Sequence, residues 1–183
     1  MKKLLNVTVL CLTLSAGAAA LEITGTVPEN VKGAVKGDFN FSGLVVKNIA
    51  YEKGAVILPV TENKGRTYTD VKLLAKSLYG RIETCFKAGC AAPKPSGKDK
   101  PAAKIAVPVI KVEEFKPLKS KTRVANAEVS FDGELLAVVG VMASSREPGT
   151  FWLAFPETLE FKDESLKAAV EKTVNAAWAK NKK

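Results

Sequence analysis

No histidine occurs anywhere in the 183 residues, and there are only three cysteines, two methionines and two tryptophans. Without an imidazole, Ser-His-Asp hydrolysis, a Cys-His dyad, histidine-ligated zinc and a histidine pH switch are all excluded. The chain also lacks G-x-S-x-G, S-x-x-K, a P-loop and a dinucleotide fingerprint. The carboxylate pairs Glu113-Glu114 and Asp163-Glu164 are adjacent in sequence, so their side chains diverge, and both neighbour lysines as a solvated face does. Zinc would need about four ligands that this composition does not supply. No catalysis, metal or cofactor is expected. What remains is 46% hydrophobic and 26% charged, with a formal net charge of +9. That composition is too apolar for a disordered chain and fits one ordinary domain or two small ones.

Lys2 and Lys3 precede an apolar run from Leu4 to Leu14 and the small-residue tract Ser15-Ala16-Gly17-Ala18-Ala19-Ala20. This is the pattern of a secretory signal peptide over residues 1–20, with Ala18 and Ala20 meeting the small-x-small cleavage rule and Leu21 opening the mature chain. The run is shorter than the ~20 residues of a spanning helix, which sets aside an uncleaved anchor. Leu10 stands before Cys11 where a lipoprotein signal has a small residue. The expected location is therefore periplasmic or extracellular, with no transmembrane helix once the signal is removed. Cys85 and Cys90 are then the only cysteines left. An even pair in an exported chain favours a disulfide, here closing a short loop at a helix end, and the C-x4-C spacing departs from a C-x-x-C redox pair.

Residues 91–104, AAPKPSGKDKPAAK, hold three prolines, four lysines and no large apolar residue. Such a stretch reads as a solvated linker. It separates residues 21–90 from residues 105–183, and each segment alone would have a small core. The two segments read as copies. Phe39-Asn40-Phe41-Ser42-Gly43 parallels Val129-Ser130-Phe131-Asp132-Gly133; continuing without a gap, Val45, Val46, Ile49 and Tyr51 fall opposite Leu135, Leu136, Val139 and Val141. The runs ending at Pro59 and Pro156 align once the loop Ser144–Gly149 is allowed to be longer. Glu22–Val27 and Val109–Val112 read as opening strands, with turn signals at Ser42-Gly43, Asp132-Gly133 and Pro148-Gly149. Each segment closes in helical spacing: Val71, Leu74, Ala75, Leu78, Ile82 and Phe86 behind Thr69 or Asp70, then Leu166, Ala169, Val170, Val174 and Trp178 behind Asp163. The expected fold class is α+β, each unit an antiparallel sheet of about four strands with one C-terminal helix.

The stretch from Ile110 to Met142, then GTFWLAFPE and a terminal helix, resembles the septation and stage V sporulation protein G family, SpoVG. Ile110, Val112, Ala127, Val129, Ser130, Asp132, Gly149, Phe151, Leu153, Ala154, Phe155 and Pro156 carry the likeness. The first segment is similar more loosely, through Phe41, Gly43, Val45, Val46, Ile49, Pro59, Gly65, Tyr68 and Asp70. Glu157-Thr158-Leu159-Glu160 replaces the serine and basic residues that usually follow the family's proline. The resemblance implies two tandem SpoVG-like units, residues 21–90 and 105–183, packed as an intramolecular pseudo-dimer. Family members look like cytoplasmic dimers that bind nucleic acid and modulate septation or sporulation, whereas this chain carries an export pattern, so the fold transfers better than the task.

Lys116, Lys119, Lys121 and Arg123 form the densest basic cluster, between the first two strands of the second unit; Lys32 and Lys36 are its smaller counterpart, and Lys180, Lys182 and Lys183 end the chain. They point to an anionic partner, a polymer or an acidic protein surface, against the alternative of an ordinary solvated lysine face. Only Phe115 adjoins the loop cluster, which disfavours stacking on single-stranded bases. The functional expectation is an exported, non-enzymatic binding or regulatory protein of the cell envelope. The alternatives are a sequence-tolerant nucleic-acid-binding regulator and an envelope scaffold.

Overall fold

A computed structural model describes residues 21–31, 34–63, 65–90, 107–147 and 149–181. The expected signal segment 1–20, the linker 91–104, and Lys32, Lys182 and Lys183 lie outside the described residues. Hydrophobic alternation on paired strands and two amphipathic helices give an α+β fold in which every strand pairing is antiparallel. The first segment runs β1 (Ile23–Val31), β2 (Ala34–Phe41), β3 (Leu44–Glu52), β4 (Ala55–Ile57), β5 (Val60–Asn63), β6 (Arg66–Thr69), β7 (Val71–Leu73) and α1 (Lys76–Ala88). The second runs β8 (Ile110–Pro117), β9 (Arg123–Phe131), β10 (Leu135–Ala143), β11 (Phe151–Ala154), β12 (Leu159–Phe161) and α2 (Glu164–Asn181).

One sheet is ordered β1-β2-β3-β12, with β4 also on β3; the other is ordered β11-β10-β9-β8, with β7 also on β10. Each sheet thus takes one short strand from the other segment. Leu44, Val45 and Val46 pair with Phe161, Glu160 and Leu159, as Leu135, Leu136 and Ala137 pair with Leu73, Lys72 and Val71. The flanking bonds correspond as well. Thr158 O accepts from Lys47 N and Asp70 O from Val138 N, each at 2.8 Å, while Gly43 O accepts from Lys162 N and Glu134 O from Leu74 N at 2.9 and 2.7 Å.

The ungapped match of the two segments is corrected in one place. Ser42-Gly43 is a two-residue turn, with φ of 51° and 97°, so Phe41 faces Leu44. The second turn takes in Glu134 as well, so Phe131 faces Leu135. Val45 and Val46 therefore correspond to Leu136 and Ala137. A bulge at Lys47-Asn48, where Asn48 has φ 59° and its N–H donates to Asp38 Oδ1 at 2.9 Å, restores register. Beyond it Ile49 and Val139, both buried, occupy matching places.

The helical reading from Val71 is also corrected, because residues 71–73 are a strand and neither Thr69 nor Asp70 is a cap. Helix α1 begins at Lys76 behind Ala75, which makes no side-chain cap bond. It buries Leu78, Ile82 and Cys85 and ends at Gly89 (φ 82°), whose N–H bonds Cys85 O. Cys85 and Cys90 are paired as a disulfide across this terminus. Helix α2 buries Leu166, Val170 and Val174; Asp163 Oδ1 accepts from Ser165 N at 2.8 Å at its start, a side-chain cap. Trp178 lies against the Phe115 and Phe151 rings at 5.0 and 5.8 Å. Phe39, Phe41, Val129, Phe131 and both helix stripes join one continuous core. No helix among the described residues is long and apolar enough to cross a membrane.

Candidate functional site: a basic groove

The side of β9 and β10 that carries Asn126, Glu128 and Val138 forms the floor of a groove of about 1010 Å3. The hairpin β5–β6 makes one wall through Thr61, Glu62 and Arg66–Thr69, and Leu118, Lys119, Ser120 and Arg123 make another. Ala154, Phe155, Pro156 and Glu157 line the end beyond β11.

At the base Glu128 is almost fully buried, 9% exposed. A lone charge there would be costly, and two ammonium groups offset it. Lys116 Nζ and Lys72 Nζ donate to Glu128 Oε1 at 2.6 and 2.8 Å. These bonds, Lys116's first, hold the Glu128 carboxyl below the usual carboxylate range. Lys116 is in turn raised, chiefly by Glu128 and then by Glu114, 3.4 Å away. Glu114 beside Lys116 and the buried Asp70 offset the second cation at the base, so the positive excess of the lining rests on the outer cations: Arg66, Lys72, Lys116, Lys119 and Arg123 stand against Glu62, Asp70, Glu128 and Glu157.

Three further cations line the groove without entering an ion pair among the described residues: Arg66, Lys119 and Arg123. Arg123 folds back over β10 because Gly140 has no side chain there; a Cβ at Gly140 would stand 2.8 Å from Arg123 Nε. Nε donates to Asn126 Oδ1 at 2.8 Å, which aims the guanidinium. Tyr68, 47% exposed, and Leu118, 40% exposed, add apolar surface beside these charges.

The predicted basic cluster is thus divided. Lys116 belongs to β8 and Arg123 opens β9, so only Lys119 and Lys121 stand in the connection itself. Lys116, Lys119 and Arg123 meet in the groove; Lys121 does not line it. Lys36 is an exposed β2 residue and Lys180 sits in the last turn of α2, neither on the groove. Phe115 packs on Trp178 instead of facing the cations. Sequence reasoning missed Arg66, Lys72, Tyr68 and Glu128 as groove residues. The available signals were the turn-forming Gly65 beside Arg66 and a glutamate inside the apolar strand Ala125–Phe131.

Asp70, 6% exposed, closes the inner corner. Its Oδ2 accepts from Thr61 Oγ1 at 2.6 Å and from Thr158 Oγ1 at 3.1 Å, tying the hairpin and the exchanged strand together. Among the described residues no group of three or more His, Cys, Asp or Glu side chains is placed to hold a metal ion. The chemistry on offer is charge neutralisation with a small aromatic surface. No family model, curated protein or solved structure matches the chain.

Proposed function

We propose that this chain is an exported, non-enzymatic binding protein of the cell envelope, built from two SpoVG-like units joined as an intramolecular pseudo-dimer, and that its groove holds an anionic polymer. The reciprocal exchange of β7 and β12, with matching backbone bonds on both sides, supports the pseudo-dimer. One observation carries the binding reading: Arg66 and Lys72 from the first segment and Lys116, Lys119 and Arg123 from the second converge on one groove. Each phosphate or carboxylate neutralised by such a cation releases condensed counterions, so affinity falls as salt rises. Three cations that enter no ion pair among the described residues correspond to a slope of log K against log salt of about −2 to −3.

The test is a salt titration of the chain against an anionic wall polysaccharide, vesicles of an anionic lipid, and single-stranded DNA. The expected result is binding to the polysaccharide with that slope, lost on Arg66→Glu with Lys119→Glu and retained on Lys121→Glu. Equal loss from Lys121→Glu would refute the groove as the site. The nucleic-acid reading draws on Tyr68, exposed beside Arg66, since a base stacked on an aromatic ring contributes about 1–3 kcal/mol. Under that reading DNA binds with the stronger affinity, and Tyr68→Ala weakens it while leaving the salt slope unchanged.

A further inference from the structure

Leu21 is held at its side chain and at both of its backbone polar groups. Its side chain is fully buried in the continuous core. Its backbone nitrogen lies 2.9 Å from Glu134 Oε2, and its carbonyl accepts from Arg81 Nη1. The receiving carboxylate is itself built in: Arg81 Nη2 stands 2.6 Å from Glu134 Oε2, Ser77 Oγ donates to Glu134 Oε1 at 3.0 Å, and the Glu134 side chain is 13% exposed. The neighbouring Glu22 is anchored too, its N–H donating to Ser42 Oγ at 3.2 Å and its carbonyl accepting from Ser42 N at 3.0 Å. The turn after β9 and the first turns of α1 therefore converge on Leu21, and the turn after β2 holds Glu22 beside it.

Leu21 also follows Ala18-Ala19-Ala20, a small-x-small sequence. We propose that the Ala20–Leu21 bond is a processing site and that Glu134, oriented by Arg81 and Ser77, is the receptor for the α-ammonium group that processing creates. This rests on the export reading above. Hydrolysis adds water across the amide: the C–N bond breaks, a C–O bond forms, Ala20 leaves as a carboxylate, and Leu21 keeps its nitrogen. The nitrogen takes up the released proton, because an α-amino group, with an ordinary pKa of about 7.7–8.0, is mostly protonated at neutral pH. A fully buried Leu21 cannot enter an endopeptidase cleft in extended form, so the cut precedes folding and the fold closes over the new terminus.

Cleavage changes what Glu134 receives. An amide N–H offers one neutral hydrogen bond, whereas an ammonium at the same place offers charge-assisted bonds of roughly twice the strength. Glu134 would then sit between an ammonium and a guanidinium, as Glu128 sits between Lys72 and Lys116 elsewhere in the molecule. Maturation and folding are coupled through this contact: the terminus freed on export becomes a structural ion of the folded protein.

The experiment produces the full chain in an exporting host, determines the N-terminal residue of the exported product by intact mass, and then measures acylation of its α-amine at neutral pH, folded and in urea. The expected product begins at Leu21. Its α-amine reacts about tenfold more slowly when folded, the factor set by one charge-assisted bond, and Glu134→Gln removes most of that protection. A product cut at another bond, or an amine that reacts equally fast folded and unfolded, overturns the proposal. A chain neither exported nor cut overturns the export reading with it, so the two failures are told apart. If Glu134→Gln does not fold, the folded-against-urea comparison on the unsubstituted product decides alone.

Discussion

The contact between Asp70 and Thr158 is the most direct measure of whether the two segments are coupled at their exchanged strands. Asp70 immediately precedes β7 and Thr158 immediately precedes β12, and the two meet through the 3.1 Å bond from Thr158 Oγ1 to Asp70 Oδ2. The perturbation is a double-mutant cycle of Asp70→Ala and Thr158→Val. A hydrogen bond to a charged acceptor contributes about 1.5–3 kcal/mol, but O–H···O⁻ bonds of full strength are shorter, at about 2.5–2.7 Å. The Thr158 bond therefore belongs at the low end, a coupling of about 1 kcal/mol. The Thr61 bond at 2.6 Å is the stronger of the two, so Asp70→Ala should cost about 2–3 kcal/mol. At roughly 2–4 °C per kcal/mol for a chain of this size, its midpoint falls by about 4–12 °C. Urea unfolding with an unchanged m-value provides the assay. Additivity within about 0.3 kcal/mol would mean that the hydroxyl and the carboxylate do not communicate, and the argument for a coupled exchange would fail.

Cutting the chain at a protease site placed within residues 91–104 should leave the two fragments together on size exclusion, because β7 and β12 each pair in the sheet of the other segment; fragments that separate at once would contradict shared packing. Glu160, depressed to about 2 by Lys162 first and Lys47 second, should titrate by carboxyl NMR with a midpoint near 2. A depressed carboxylate stabilises the fold above its ordinary 4.5, and that contribution fades as pH falls toward 2; a midpoint near 4.5 would refute the ion pairs. Gly140→Ala should leave stability nearly unchanged, since the atom it meets is the far end of a flexible side chain. By displacing the Arg123 guanidinium it should lower the salt slope of ligand binding by about one, and an unaltered slope would remove Arg123 from the site.

Features with local causes could be read before any coordinates. The α+β class followed from alternating and helical periods in both segments, and α2 was legible down to Asp163 because its cap and stripe are contiguous. The disulfide was legible because Cys85 and Cys90 close a short loop at a helix end. The short strands were not. Val71–Leu73 merges in sequence with the helix behind it and becomes a strand only by pairing with Leu135–Ala137, far along the chain. Leu159–Phe161 likewise depends on Leu44–Val46. At three residues each, neither strand carries a period of its own. The groove was half legible for the same reason. Lys116, Lys119 and Arg123 form a visible cluster, whereas Arg66 and Lys72 are isolated cations until the hairpin and the exchanged strand carry them across.

The strand exchange is reciprocal, but the connections leading into it are not. Between β4 and β7 the chain inserts the hairpin β5–β6; between β11 and β12 it has only a turn through Pro156, Glu157 and Thr158. The inserted hairpin supplies a wall of the groove on the sheet that holds β7, and among the described residues no corresponding hairpin stands between β11 and β12. The groove depends on the exchange as well as on the hairpin. Lys72 reaches Glu128 only because β7 lies on β10. A chain in which β7 detached would leave the buried Glu128 with Lys116 alone and would lose an anchor of the hairpin at Asp70. Binding of an anion between these cations therefore favours the exchanged arrangement, and by linkage the ligand should raise the unfolding midpoint of the whole chain and not of one segment.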